Sequence, residues 1–159
     1  MRIEEIIKQK EFESEYQKLT INLLYTSGWI SGIQQRFFKQ YNLTMQQYNV
    51  LRILRGQKGS PITMQDVVCR MIDKMSNCSR ILDKLVTKNW ATREPGADDR
   101  RKVMVQITQK GLDLLDEIDT HVTELHKLYS GLTEKEAKTL NNLLDKMRAD
   151  ETEIEKKEK

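Results

Sequence analysis

Residues 73–108 read DKMSNCSRILDKLVTKNWATREPGADDRRKVMVQIT, and the order of patterns inside this stretch decides the fold. Met75, Cys78, Ile81, Leu82, Leu85 and Val86 recur mostly at three- and four-residue steps, the spacing of one helix face. Asp73 is a residue type that caps helices and Asn89 one that tolerates a left-handed stop, so the spacing predicts a helix from Asp73 to Lys88. The period then changes. Val103, Val105 and Ile107 alternate as one buried face of a β-strand, and ATRE and KVMVQI flank the loop PGADDRR as the two arms of a hairpin. Burial explains the strands. It does not explain Arg100, Arg101 and Lys102, because nothing in folding requires three positive charges at a hairpin tip.

Upstream, PITMQDVV offers Thr63 and Asp66 as a cap, with Val67, Val68 and Met71 on a helix of about two turns. Two short helices with a tight junction, the second amphipathic, describe a helix-turn-helix. The apolar stripe of the second helix would exist in any packed helix, so only its opposite face discriminates. That face carries Lys74, Ser76, Asn77, Ser79, Arg80 and Lys84, side chains that reach base edges and phosphates when a helix enters the major groove of DNA. A polar face alone is equally well a solvated one; its place before a basic hairpin favours DNA. Arg101 at the tip of a protruding ribbon suits the narrow, negative minor groove, with Arg100 and Lys102 on phosphates. Asp98 and Asp99 oppose binding, and a local role is expected of them: a carboxylate beside an arginine fixes its guanidinium.

The flanks are helical. Ile3, Ile6, Ile7, Tyr16, Leu19, Leu23, Leu24, Ile30, Ile33 and Phe37 predict a helix through roughly residues 3–41, with Gly28 and Gly32 marking a bend or a close helix contact. Thr44 with Gln47 reads as a capping box opening a helix that ends at Gly56. Thr108 is expected to cap a long segment carrying Leu112, Leu115, Ile118, Val122, Leu125 and Leu128. Thr133 with Glu136 opens a last helix with Ala137, Leu140, Leu144 and Met147 on one stripe, before the charged tail EIEKKEK. The fold class expected is therefore mainly α with a small β-hairpin wing. Residues 43–109 form the winged helix-turn-helix, and residues 1–42 and 110–155 a helical region.

Bulk properties agree with one ordinary domain: 159 residues, 38% hydrophobic and 32% charged. No window reaches the ~18 apolar residues of a membrane span, and MRIEEIIKQKEFE is too charged for a secretory signal, so a cytoplasmic protein without membrane contact is expected. The net charge of +3 is unevenly placed. Residues 58–110 hold 11 basic and 6 acidic side chains, whereas residues 111–159 hold 8 and 13, so the middle of the chain is where an anion would be met. Cys69 and Cys78 fit no CxxC or zinc spacing and are expected to be free, buried thiols. His121 and His126 lie about 140° apart on a helix and share no face for a metal. Catalytic constellations and phosphate loops are missing from the sequence, so no enzyme, cofactor or metal is expected.

Four runs, LTMQQYNVLRIL, PITMQDVV, SNCSRILDKLVTKNWATRE and DDRRKVMVQITQKG, resemble the MarR family of bacterial winged helix-turn-helix regulators. The family's wing pattern D-x-R-x-x-x-V-x-L-T-x-x-G is matched by Asp99, Arg101, Val105, Ile107 in place of leucine, Thr108 and Gly111. The resemblance implies a homodimer held by the first helix and the last two, here Ile3, Ile6, Ile7, Leu125, Leu128, Leu140, Leu144 and Met147. It also implies that Asp99 steadies Arg101 in the minor groove, and that the DNA site is near-palindromic. It implies further a repressor released by a small phenolic or lipophilic effector, to which Trp29, Phe37, Phe38 and Tyr41 are candidate contacts. Two departures stand out. Asn89, Trp90 and Ala91 replace the family's usual Gly then Leu or Val, and no cysteine precedes Cys69, which argues against peroxide sensing. The competing reading is a winged-helix protein without effector control, acting on another protein or on DNA without regard to sequence.

Overall fold

The computed structural model describes residues 1–149, except the side chains of Glu124 and His126. The charged tail and the end of the helical region drawn to residue 155 lie outside the described residues. Two compact units are present, Met1–His121 and a second from Val122 onward.

The first unit begins with α1 (Ile3–Ile6) and α2 (Glu15–Lys39), not with one continuous helix. Lys8 adopts φ 56° just after α1, and Ser14 starts α2 by accepting a hydrogen bond from the Gln17 amide at 3.2 Å. The signal was there in the Ser-x-x-Gln spacing, hidden by the isoleucines on either side. Gly28 and Gly32 sit inside α2, and a Cβ at either would meet no backbone within 4 Å, so neither marks a close helix contact within the chain.

Next come α3 (Met45–Arg55), β1 (Ile62–Thr63), α4 (Met64–Arg70), α5 (Cys78–Thr87), β2 (Ala91–Pro95), β3 (Val103–Ile107) and α6 (Gln109–His121). The capping box at α3 forms as its sequence requires: Gln47 NH donates to Thr44 Oγ1 at 3.2 Å and Thr44 NH to Gln47 Oε1 at 3.1 Å. That exchange explains how Gln47, a polar residue, is buried without an unmet hydrogen bond. Thr63 caps α4 through the Asp66 amide, as expected.

The wing has a third strand that the sequence did not reveal. β1 pairs antiparallel with β3, giving the order β1-β3-β2, with Ile62 opposite Val105 and Arg93 also opposite Val105 on the other side. Two residues are too few to show a period of two, so β1 was illegible in the sequence.

α3 is the central helix and touches α2, α4, α5, α6 and β3. Val50 and Leu51 of α3, Val67, Leu82, Leu85, Val105, Leu115 and Ile118 are all fully buried. Burying each such side chain contributes about 1.5–3 kcal/mol, and the shared core holds the helix-turn-helix, wing and α6 together.

The second unit contains α7 (Thr123–His126), a 3₁₀ turn (Lys127–Tyr129) and α8 (Glu134–Met147). The long helix expected through Leu128 is thus interrupted at Val122. At α8 the Thr133–Glu136 capping box forms in full.

α6 starts in a confined place. A Cβ added at Gly111 would lie 2.3 Å from the Trp90 carbonyl oxygen, and rigid backbone cannot yield as a side chain can. Gly111→Ala should therefore destabilise the protein by about 1–3 kcal/mol in urea unfolding. Helix propensity alone predicts the opposite sign, because alanine favours a helix over glycine by about 1 kcal/mol.

Candidate nucleic-acid interface

The helix-turn-helix differs from the sequence expectation at its turn. α5 starts at Cys78, not at Asp73, and its N-cap is Asn77, whose Oδ1 accepts from the Arg80 amide at 3.0 Å. Asp73 does act as a cap, but of a single turn: its Oδ1 accepts from the Met75 amide at 3.1 Å and its Oδ2 from Ser76 Oγ at 2.6 Å. These bonds hold the Asp73 carboxyl below its ordinary range, with the Ser76 hydroxyl the main cause. Two capping residues four apart offered one helix start, and α5 takes the second; Met71 leaves the helical region at ψ 140° before either of them. Lys74 and Ser76 consequently lie in the turn. Met75, expected on the apolar face, is 95% exposed.

On α5 itself, Cys78, Leu82 and Leu85 face the core, while Arg80 and Lys84 are exposed and Ser79 is half-buried. Ser76, Asn77, Arg80 and Lys84 line one side of a shallow groove of about 360 Å³, with Thr44 and Gln46 at the start of α3 on the other. Four of the expected contacts are thereby brought onto one continuous surface, with Lys74 in the turn before it.

One contact ties α5 to the wing and another ties its end to the segment between α2 and α3. Arg93 on β2 pairs with Asp83 on α5 at 2.7 Å. Lys88 donates to the Asn42 carbonyl at 2.5 Å with its ammonium 4.6 Å from the Trp90 ring centre, and burial, helped by Lys84, lowers its pKa. Sequence reasoning missed both, since each links residues whose proximity only the fold creates.

At the wing tip, the Asp99 carboxylate accepts from the Arg101 amide at 3.0 Å and from Arg101 Nε at 3.2 Å. These two bonds, the backbone one first, lower the Asp99 pKa below its ordinary value. The loop closes through Gly96 NH on the Lys102 carbonyl and Lys102 NH on the Asp99 carbonyl, at 2.9 and 3.0 Å. A Cβ at Gly96 would stand 2.8 Å from that Asp99 oxygen, so the Pro-Gly pair belongs to the closure. The Arg101 side chain remains 92% exposed with one edge held, and Arg100 and Lys102 are exposed beside it. This is the orienting geometry expected of Asp99.

Of the candidate effector aromatics, Phe37, Phe38 and Tyr41 cluster and Trp29 stands apart. Phe37 and Phe38 are buried and pack edge to face at 5.2 Å, Tyr41 leans on Phe37 and Tyr48 on Phe38, whereas Trp29 is 45% exposed elsewhere on α2. Trp29 instead borders an open hollow with Met1, Arg2, Lys18 and Tyr25. A cleft of about 730 Å³ lies between the second half of α2 and α3, with Lys39, Leu43, Met45, Asn49, Met71 and Ile72 among its walls.

Both thiols are free. Cys78 is buried, and desolvation pushes its pKa up, which makes it inert; Cys69 is exposed, contrary to expectation, because α4 turns it outward. No cluster of His, Cys, Asp or Glu suited to a metal occurs among the described residues, and none of their helices is long and apolar enough to cross a membrane. The His121 ring lies tilted beside Tyr41, with ring centres 6.4 Å apart.

The family described as transcriptional regulator SarA/Rot matches residues 33–118. The HTH-type transcriptional regulator MgrA of Staphylococcus aureus is 31% identical over 112 residues, covering 70% of this chain and 74% of MgrA. A mutant MarR from E. coli complexed with operator DNA superposes with a TM-score of 0.76 at 26% identity, over 87% of this chain and 99% of that one. Bordetella bronchiseptica BpsR, whose DNA binding is regulated by 6-hydroxynicotinic acid, superposes with a TM-score of 0.71 at 26% identity, over 82% and 98%.

If Asp99 organises Arg101, Asp99→Ala should weaken DNA binding severalfold in fluorescence anisotropy. Simple charge counting predicts a gain, because the variant removes a negative charge that faces the phosphates.

Proposed function

Because the chain belongs to the MarR/SarA family of winged-helix transcriptional regulators and is a DNA-binding regulator rather than an enzyme, we propose that it acts as a homodimeric repressor released by a small ligand. Each protomer lays α5 in the major groove and Arg101 in the flanking minor groove, with Arg100 and Lys102 on phosphates. Two-fold symmetry then requires a near-palindromic operator with half-sites about 10 bp apart or a small multiple of that.

The observation that carries this reading is the held Arg101 at the wing tip, on the same unit as an exposed Arg80 and Lys84 on α5. A guanidinium fixed by its neighbour loses less conformational freedom on binding than a free one, and the minor groove rewards it most where it is narrow.

Dimerisation is assigned to the terminal helices. On α8, Leu140, Leu143 and Met147 are 45%, 58% and 53% exposed, an apolar stripe that water alone would not favour. Leu143 joins the residues read from the sequence, and Leu144 beside it is half-buried. At the other end Ile6 and Ile7 are half-buried, while Ile3 is already buried within its own unit. Leu125 and Leu128 are half-buried in the second unit.

For the effector, the cleft beside α3 is a better site than the four aromatics. Lys39 supplies a cation and Leu43, Met45 and Met71 an apolar floor, which suits an aromatic acid of the kind that regulates BpsR. Ile72 and Asp73 form its far wall, and Asp73 also organises the turn before α5. An occupant that contacts this wall differently in the DNA-competent and DNA-incompetent states would shift the balance between them.

Selection from random-sequence duplexes at near-physiological salt tests the reading and should return a near-palindrome. On that duplex Arg101→Ala should lose about 1–3 kcal/mol with the dimer intact, and equal affinity would remove the wing from the interface. Leu140→Glu with Leu143→Glu should sediment as a folded monomer with weak DNA binding; an intact dimer would place the interface elsewhere.

A further inference from the structure

Met75 and Ile72 are the two large apolar side chains left in water around the recognition turn, at 95% and 79% exposure. Ile72 borders the cleft beside α3, and its amide is held by Asn49 Oδ1 at 3.1 Å. Met75 borders none of the described hollows. It stands two residues before the Asn77 cap, between Lys74 and Ser76, on the end of the helix-turn-helix that carries Arg80.

Its backbone is not loose. The Asp73 carboxylate binds the Met75 amide at 3.1 Å and the Ser76 hydroxyl at 2.6 Å, and the Ser76 amide reaches the Asp73 carbonyl at 3.3 Å. A thioether is therefore presented to solvent by a turn whose geometry is fixed on both sides. Exposing it stabilises nothing in the free protein, and Lys74 and Ser76 on either side of it are groups suited to a polyanion, with the Asp73 carboxylate turned to the turn's own donors.

A DNA major groove offers polar edges at every base pair and one apolar group, the C5-methyl of thymine. Residues at the start of a recognition helix are those that reach base edges. We propose that Met75 is a specificity-determining residue that reads a thymine methyl in each half-site. The assignment rests on α5 entering the major groove. An unbranched, polarisable side chain suits it, because it can settle on a methyl without a fixed hydrogen-bond geometry. Covering one methyl group corresponds to a factor of about four in affinity.

The test uses the full-length protein and the operator recovered by duplex selection, with each thymine replaced in turn by deoxyuridine, which removes only the methyl. Wild type should lose about fourfold at one thymine per half-site. Met75→Ala should bind the unmodified operator about fourfold more weakly and show no further loss at that same uracil. Met75 is exposed, so folding is not at issue, and circular dichroism of the variant should match wild type. Tolerance of uracil at every position, or a Met75→Ala variant as sensitive to uracil as wild type, overturns the assignment. Arg80→Ala separates the two levels of the claim. If it leaves affinity unchanged, or if no motif is selected, α5 does not read the groove and both claims fall; if it weakens binding while uracil is tolerated throughout, only the role of Met75 falls.

Discussion

The carbonyl of Trp90 is the point on which the DNA-binding half of the molecule turns. Thr108 NH donates to it at 3.1 Å, Thr108 Oγ1 donates to the neighbouring Asn89 carbonyl at 2.7 Å, and Gly111 NH donates back to Thr108 Oγ1 at 3.1 Å. Asn89 meanwhile ends α5 in the left-handed region at φ 59°, with Trp90 NH returned to the Leu85 carbonyl at 2.9 Å. Four elements meet here: the end of α5, the start of β2, the end of β3 and the start of α6. One residue, Thr108, satisfies the Asn89 carbonyl with its hydroxyl and the Trp90 carbonyl with its amide while its hydroxyl also caps α6, and Gly111 permits the approach by having no Cβ. The Thr-x-x-Gly spacing in the sequence is thus a packing requirement first and a family mark second.

With that junction closed, helix and wing behave as one piece. The Arg93–Asp83 pair spans them, and Trp90, which departs from the usual residue at its position, is accommodated by burying its ring and placing Lys88 over it. A lysine ammonium on an indole face is favourable by about 0.5–1 kcal/mol at a partly exposed site, a modest gain that replaces what a smaller residue would have left open. α3 supplies the base against which this piece is set, through the buried Val50, Leu51 and Leu54.

The sequence was most legible where chemistry repeats over short range. The Thr44–Gln47 and Thr133–Glu136 boxes, the Asn89 stop, the hairpin arms and the Asp99–Arg101 contact all depend on residues within a few positions of one another. Legibility failed where two local solutions competed or where contacts were long-range. Asp73 and Asn77 are both good caps, each accepts from a backbone amide in the structure, and residue type alone does not rank them. Isoleucines on both sides concealed the break before Ser14. β1 exists because Ile62 and Thr63 fall beside β3, a fact about distant residues. The four aromatics divide for a related reason: Phe37 and Phe38 are core, Tyr41 just past α2 leans on Phe37, and Trp29 two turns earlier is half-exposed.

The same geometry bears on how such a modestly charged protein favours one DNA sequence over others. Its net charge is only +3, and four of the six acidic residues of the basic middle segment are engaged by side-chain hydrogen bonds around the proposed DNA-facing side. Asp66 binds Thr63, Asp73 binds Ser76, Asp83 binds Arg93 and Asp99 binds Arg101. Each subtracts a charge from the attraction to phosphates, and attraction to phosphates is the part of binding that ignores sequence. Each also fixes a cap, a turn, a helix–wing contact or a guanidinium. On the proposed binding mode the acids weaken attraction to every duplex by a similar amount, while the groups they hold in place gain on a sequence that fits them. Discrimination is a difference between those two terms, so it rises even as the total attraction falls.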